Sequence, residues 1–174
     1  MLHIDEKQCP PNGGEYNKLW AIIGFGKHAD KTFPQVMFHD PDWFFWGMKK
    51  GWFASDPTLA REAAKVDKYS KNIKIPAKYK DSVVKYFAND RNMFSHFIII
   101  SRDEAEYVGG NSIKQLEVID MSVPHDLSAY DKSGYKRFVL SMKSCIFGNK
   151  SARITKQRAE EFFNDEANFV SDLR

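Results

Sequence analysis

The sequence predicts an α+β fold: an N-terminal strand-turn-helix-helix module, a small antiparallel sheet, and a helical C-terminal third. Three observations carry this. Two Asp-Pro dipeptides, Asp40-Pro41 and Asp56-Pro57, each precede an apolar pattern. Three runs rich in β-branched or aromatic residues fall between Val83 and Met121. From Tyr135 onward, Phe138, Val139, Met142 and Ile146 recur at helical spacing.

Residues 1–17 contain Cys9-Pro10-Pro11-Asn12-Gly13-Gly14, turn chemistry that reads as an extended lead-in. Lys18 to Phe25 is rich in strand formers and ends among Gly24 and Gly26, so a strand running into a tight turn is expected. Thr32 can cap a short helix with Pro34 in its first turn. Asp40 is placed to accept from free amides of a second helix, with Pro41 first in that helix and Gly51 at its exit. Asp56-Pro57 starts a third, with Leu59, Ala63 and Val66 on its apolar face to about Lys68. Ser70 to Lys80, rich in lysine and holding Pro76, reads as an exposed connection between a module at 18–69 and an α+β region at 81–174, which can also pack as one domain. Val83–Ala88, His96–Ser101 and Ile113–Met121 are the three strands, with turns at Asn89-Asp90-Arg91-Asn92 and Gly109-Gly110-Asn111. The last third holds the helix from Tyr135, ended by Gly148, and a second capped by Thr155 with Ala159, Phe162 and Phe163 inward.

The chain has 174 residues, 43% hydrophobic and 28% charged, enough apolar content for a core. The net charge of +3 excludes a strongly acidic DNA mimic and a basic tail protein. The start has no secretory pattern, and the longest apolar run, Phe97-Ile98-Ile99-Ile100, is too short to span a bilayer. Two distant cysteines, Cys9 and Cys145, fit free thiols in a reducing cytoplasm better than a disulfide scaffold.

The segment Ile23-Gly24-Phe25-Gly26-Lys27-His28-Ala29-Asp30-Lys31-Thr32-Phe33, followed by Asp40-Pro41-Asp42-Trp43-Phe44-Phe45-Trp46, resembles the C-terminal module of exodeoxyribonuclease X-like proteins. The likeness covers about residues 19–53. Asp30 departs from it, standing where that family usually has glycine. The resemblance implies a module associated with DNA enzymes, common in phage and mobile-element proteins. It carries over no nuclease activity, because the acidic catalytic domain of those enzymes has no counterpart in the few residues before the motif.

Lys27, His28 and Lys31 fall at the tip of the glycine turn, where they are candidate phosphate contacts, and Phe45 and Trp52 are candidate aromatic contacts. A second feature explains how a charge of +3 conceals a basic surface. From Lys132 to Arg158 there are eight basic residues and no acidic one: Lys132, Lys136, Arg137, Lys143, Lys150, Arg153, Lys156 and Arg158. Lys132, Lys136 and Lys143 fall near one helix face, away from Phe138 and Met142. A helix-turn-helix is disfavoured, because the connection from Gly148 to Ile154 is long for that motif.

Other chemistry is weakly supported. The five histidines lack partners at metal-ligand spacing, so no metal or cofactor is expected. Asp103, Glu104, Glu106, Glu117 and Asp120 are the acids available to a small metal-dependent nuclease, but strand alternation sends Glu117 and Asp120 to opposite faces. Cys145 falls on the apolar side of its helix and reads as a buried, inert thiol. The leading expectation is a non-enzymatic nucleic-acid-associated protein of a phage or mobile element. The alternative is a protein-binding inhibitor or adaptor, such as an anti-CRISPR or anti-restriction factor, with self-association as a further option.

Overall fold

The computed structural model describes residues 19–105, 112–127 and 132–171; the lead-in at 1–17, Cys9, Glu106 and the Gly109-Gly110-Asn111 turn lie outside the described residues. The architecture is α+β. A 3-10 turn at Gly26–His28 precedes α1 (Phe33–Met37), α2 (Pro41–Lys50) and α3 (Pro57–Ser70). The short strand β1 (Ile73–Lys74) leads to β2 (Ser82–Ala88), β3 (Phe94–Ser101), α4 (Arg102–Ala105), β4 (Ser112–Leu116) and β5 (Val118–Ile119). Then come α5 (Val123–Leu127), α6 (Lys132–Cys145), α7 (Lys156–Asn164) and a 3-10 turn at Glu166–Asn168.

The main sheet is antiparallel with order β3-β2-β4. Its central strand is buried on both faces from Val83 to Tyr86. On one face Phe138 of α6 meets Phe94 and Phe97 at ring distances of 5.6 and 5.0 Å. On the other, the Lys85 ammonium donates to the Ala105 carbonyl at the end of α4. The expected third strand is divided between two sheets. β4 pairs with β2, whereas β5 pairs with β1, Ile73 opposite Ile119. Between them Glu117 is exposed and takes a bidentate contact from Arg102, with nitrogen-oxygen distances of 2.8 and 2.6 Å.

Two other expectations are corrected. Residues 19–25 form no strand, because their backbone groups find other partners. The Ala21 N–H donates to Glu62 of α3 at 3.0 Å, and Trp20 reaches Asn164 of α7 through its indole N–H. The segment is a strap docked on helices, with Trp20 and Ile23 in the core. Nor is 70–80 wholly an exposed connection. Ile73 is buried, bridges to Phe169 as well as Ile119, and ties the segment after α7 to the small sheet.

One hydrophobic cluster runs through the molecule, from Phe33 and Phe44 through Tyr86 and Phe138 to Phe163. Much of it is aromatic: Phe33 meets Phe44 and Phe53 edge to face at 5.4 and 4.8 Å, and Phe38 meets Phe162 at 5.5 Å. Such pairs add about 0.5–1.5 kcal/mol each beyond area burial. Cys145 is buried here, and burial pushes its thiol up to about 12, so it stays protonated at neutral pH.

Candidate functional site

The tip of the N-terminal module is built by two glycines and one carboxylate. Gly24 and Gly26 adopt φ of +78° and +67°. The Ile23 and Gly24 N–H groups then donate to Lys31 and Ala29, closing the loop. A Cβ on Gly26 would approach the Trp43 ring to 3.2 Å, so the loop lies directly on α2. Asp30 needs no left-handed conformation: Asp81 and Asn92 are the described non-glycine residues with positive φ.

Asp40 precedes α2 but does not cap it with its side chain. Its carboxylate turns back to the loop instead. His28 Nε2 lies 2.9 Å from Oδ2, and Lys27 Nζ pairs with the same oxygen. A carboxylate only accepts, so His28 Nε2 carries the proton. Burial pushes the Asp40 carboxyl upward, but the hydrogen bonds from Lys27 and His28 outweigh it and hold its pKa below the ordinary value.

This arrangement sorts the residues named for the tip. His28 is a buried clip, edge-on to Trp43 at 5.0 Å, and does not face solvent. Lys27 remains half exposed while paired with Asp40. Lys31 lies 3.3 Å from Asp30, whose carboxyl is lowered by that hydrogen bond. Phe45 is a correction: it is only 5% exposed, because α2 directs it toward α6, where its ring stacks on Tyr135 at 6.5 Å. Trp52 is 42% exposed, as a contact residue requires.

Phe25 joins Trp52 as an exposed ring, at 37%. Both rings flank the half-buried Trp43, at 6.2 and 5.6 Å, and Phe53 lies 6.1 Å from Phe25. The result is a fixed aromatic surface with Lys27 of the same loop beside it. Phe25 belongs to the motif but was not among the expected contacts. The available signal was its position between two glycines at a turn tip, where no helix face of its own can cover it. Leu19 and Ile22 are further exposed apolar residues of the same strap.

The basic window divides into pinned and unpinned charges. Arg137 donates to the Phe94 carbonyl at 3.2 Å, the Arg158 guanidinium lies 4.8 Å over the Phe147 ring, and Lys156 is 3.9 Å from Glu160. Lys136, Lys143, Lys150 and Arg153 make no ion pair among the described residues. The Lys132 side chain lies outside the described residues. Lys136 and Lys143 are separated by about 20° around α6 at 100° per residue, at least about 100° from Phe138 and Met142. On α7, Gln157 and Glu161 bond across the exposed face, and ten residues separate it from α6.

The described candidate nuclease acids do not converge on a metal site. Glu117 is held by Arg102, while Asp120 accepts from the Ser122 N–H and hydroxyl. Among the described residues no group of three His, Cys, Asp or Glu side chains is arranged to hold a metal ion. No described helix is long and apolar enough to cross a membrane. No protein family, curated protein or solved structure matches the chain.

Proposed function

We propose that this protein binds nucleic-acid strands without cleaving them, stacking exposed bases on Phe25 and Trp52. Lys27 beside Phe25, and the unpinned Lys136, Lys143, Lys150 and Arg153, contact phosphates. The observation that carries this reading is the fixed pair of exposed rings on either side of Trp43. Base-aromatic stacking contributes about 1–3 kcal/mol per base and tolerates any sequence. A platform that is already packed loses little conformational freedom on binding. The likeness of residues 19–53 to the exodeoxyribonuclease X-like module supports the same partner class and a phage or mobile-element origin.

The test is fluorescence anisotropy with a labelled single-stranded oligonucleotide. Affinity falls steeply with salt if phosphates are contacted. Trp52→Ala and Phe25→Ala each weaken binding by about tenfold, in line with the loss of one stacked base. No complex at low salt, or wild-type affinity in the double variant, overturns the reading.

One observation favours a second reading. Leu19 is 89% exposed and Ile22 48%, aliphatic surface that a nucleic-acid platform does not need. A protein partner seated on Leu19, Ile22 and Phe25, as for an inhibitor of a nucleic-acid enzyme, would use it. Salt-resistant capture of a partner, abolished by Leu19→Asp, supports that reading over the first.

A further inference from the structure

A pocket of about 400 Å³ opens between α2, the end of α3 and α5, on residues separate from the aromatic tip. Phe45 and Met48 form its apolar wall, and Lys49, Lys71, His125 and the carboxylates Asp67 and Asp126 bring charge and hydrogen-bonding capacity. The volume lies within the range of small-molecule sites.

His125 is held in a defined state. Its Nδ1 lies 2.9 Å from Asp42 Oδ1, and each side chain is 13% exposed. The carboxylate only accepts, so Nδ1 carries a proton and Nε2 is the ring nitrogen left to act. Phe45 and Trp46 flank the imidazole at 5.9 and 5.4 Å and fix its plane. Behind the pair, the Tyr135 hydroxyl is buried; burial first, then the Asp42 charge, push it well above the usual phenol value.

Two ammonium groups share the cavity. Lys71 is held by Asp67 at 2.8 Å and lies over the Phe45 ring. Lys49 lies over Trp46 and makes no ion pair among the described residues. Three nitrogen groups around one cavity match a phosphate monoester, which has three acceptor oxygens and carries about −1.5 to −2 charge. One carboxylate would leave part of that set unused. The Asp126 carboxylate has no described partner and offers an acceptor on the same rim.

We propose that this pocket binds the phosphate monoester of a nucleotide, free or at a strand end. The phosphate accepts from Lys49, from Lys71 and, with the ring in its imidazolium form, from His125 Nε2–H. The base lies against Phe45 and Met48, with an amino group donating to Asp126. The proposal does not rest on strand binding at the tip.

The test is calorimetric titration of the full chain with adenosine 5′-monophosphate and, in parallel, adenosine. The monophosphate binds at least about tenfold tighter than adenosine. Lys49→Glu weakens it by at least about tenfold while leaving the melting temperature unchanged, since Lys49 is exposed. His125→Gln, whose amide can still donate to Asp42, weakens it comparably. Trp52→Ala leaves it unchanged, so failure at the tip and failure at the pocket are separable. A preference for 5′-phosphorylated over 5′-hydroxyl oligonucleotide that Lys49→Glu removes assigns the site to strand ends; equal binding of the two oligonucleotides assigns it to free nucleotides. No heat from the monophosphate at about 1 mM, or wild-type binding by Lys49→Glu, overturns the proposal.

Discussion

Asp40 and Asp42 flank Pro41 at the start of α2, and each holds a histidine at 2.9 Å. The chemistry is the same and the surroundings are not. Asp40 closes a loop: His28 is sealed beneath the tip, its Nδ1 buried without a partner among the described residues, and Lys27 shares the carboxylate oxygen. Asp42 joins two distant elements, and its histidine lines a cavity that also holds Lys49 and Lys71. A hydrogen-bonded Asp-His pair is therefore not a site by itself. Access to the second ring nitrogen separates a clip from a binding group.

The largest expected effect separates the pairs by stability. Asp42→Ala leaves the half-buried His125 without its partner and destabilises by about 3 kcal/mol, the upper end for a hydrogen bond to a charged group. Asp40→Ala removes a charged hydrogen bond from a carboxylate about one-fifth exposed, and loses about 1–2 kcal/mol. Urea unfolding at pH 7 measures both, and equal losses would break the comparison. Acid unfolding sharpens it. The folded pKa of Asp40 lies below its unfolded value. Its contribution is present above about pH 4 and is lost as pH falls through the folded value. Asp120, raised chiefly by burial, acts in the opposite sense: its ionisation opposes folding as pH rises through the carboxylate range. Asp40→Ala therefore has a shallower acid limb than the wild type.

The tip gives a smaller effect. Gly26→Ala forces a left-handed residue against Trp43 and destabilises by about 1–2 kcal/mol. Gly51 has nearly the same φ, +70°, but nothing lies within 4 Å of its missing Cβ, so Gly51→Ala costs about 1 kcal/mol, nearer the intrinsic penalty. A melting-temperature shift for Gly26→Ala no larger than that for Gly51→Ala would show that the loop does not press on α2.

Much of the fold was legible because its signals are local. Asp56 caps α3, Thr155 caps α7 and Gly51 ends α2, each as the sequence indicates. Periodicity placed Phe138, Met142, Phe162 and Phe163 inward, where burial bears it out. What failed was settled by partners far along the chain. Residues 19–25 have strand composition but dock on α3 and α7, and the run from Ile113 to Met121 serves two sheets. Phe45 stood as a candidate contact because its cover, Tyr135 of α6, lies 90 residues away. The pairing of Asp42 with His125 spans 83 positions and leaves no spacing signal.

The smallest effect on stability tests the basic window against the tip. Lys136 and Lys143 have no described ion partner, so Lys136→Gln with Lys143→Gln changes stability by less than about 0.5 kcal/mol. Its effect belongs to binding, and it differs in kind from that of Trp52→Ala. A lost phosphate contact on a single strand reduces the slope of log affinity against log salt by about 0.7, so two lost contacts reduce it by about 1.4. A lost stacking ring lowers affinity at every salt concentration and leaves the slope unchanged. Anisotropy titrations across a salt series read both quantities from the same samples. If the lysine double variant keeps the wild-type slope, α6 presents only solvated charge and strand binding belongs to the tip. If Trp52→Ala changes the slope, the ring positions lysines, and the division between stacking surface and charge surface does not hold.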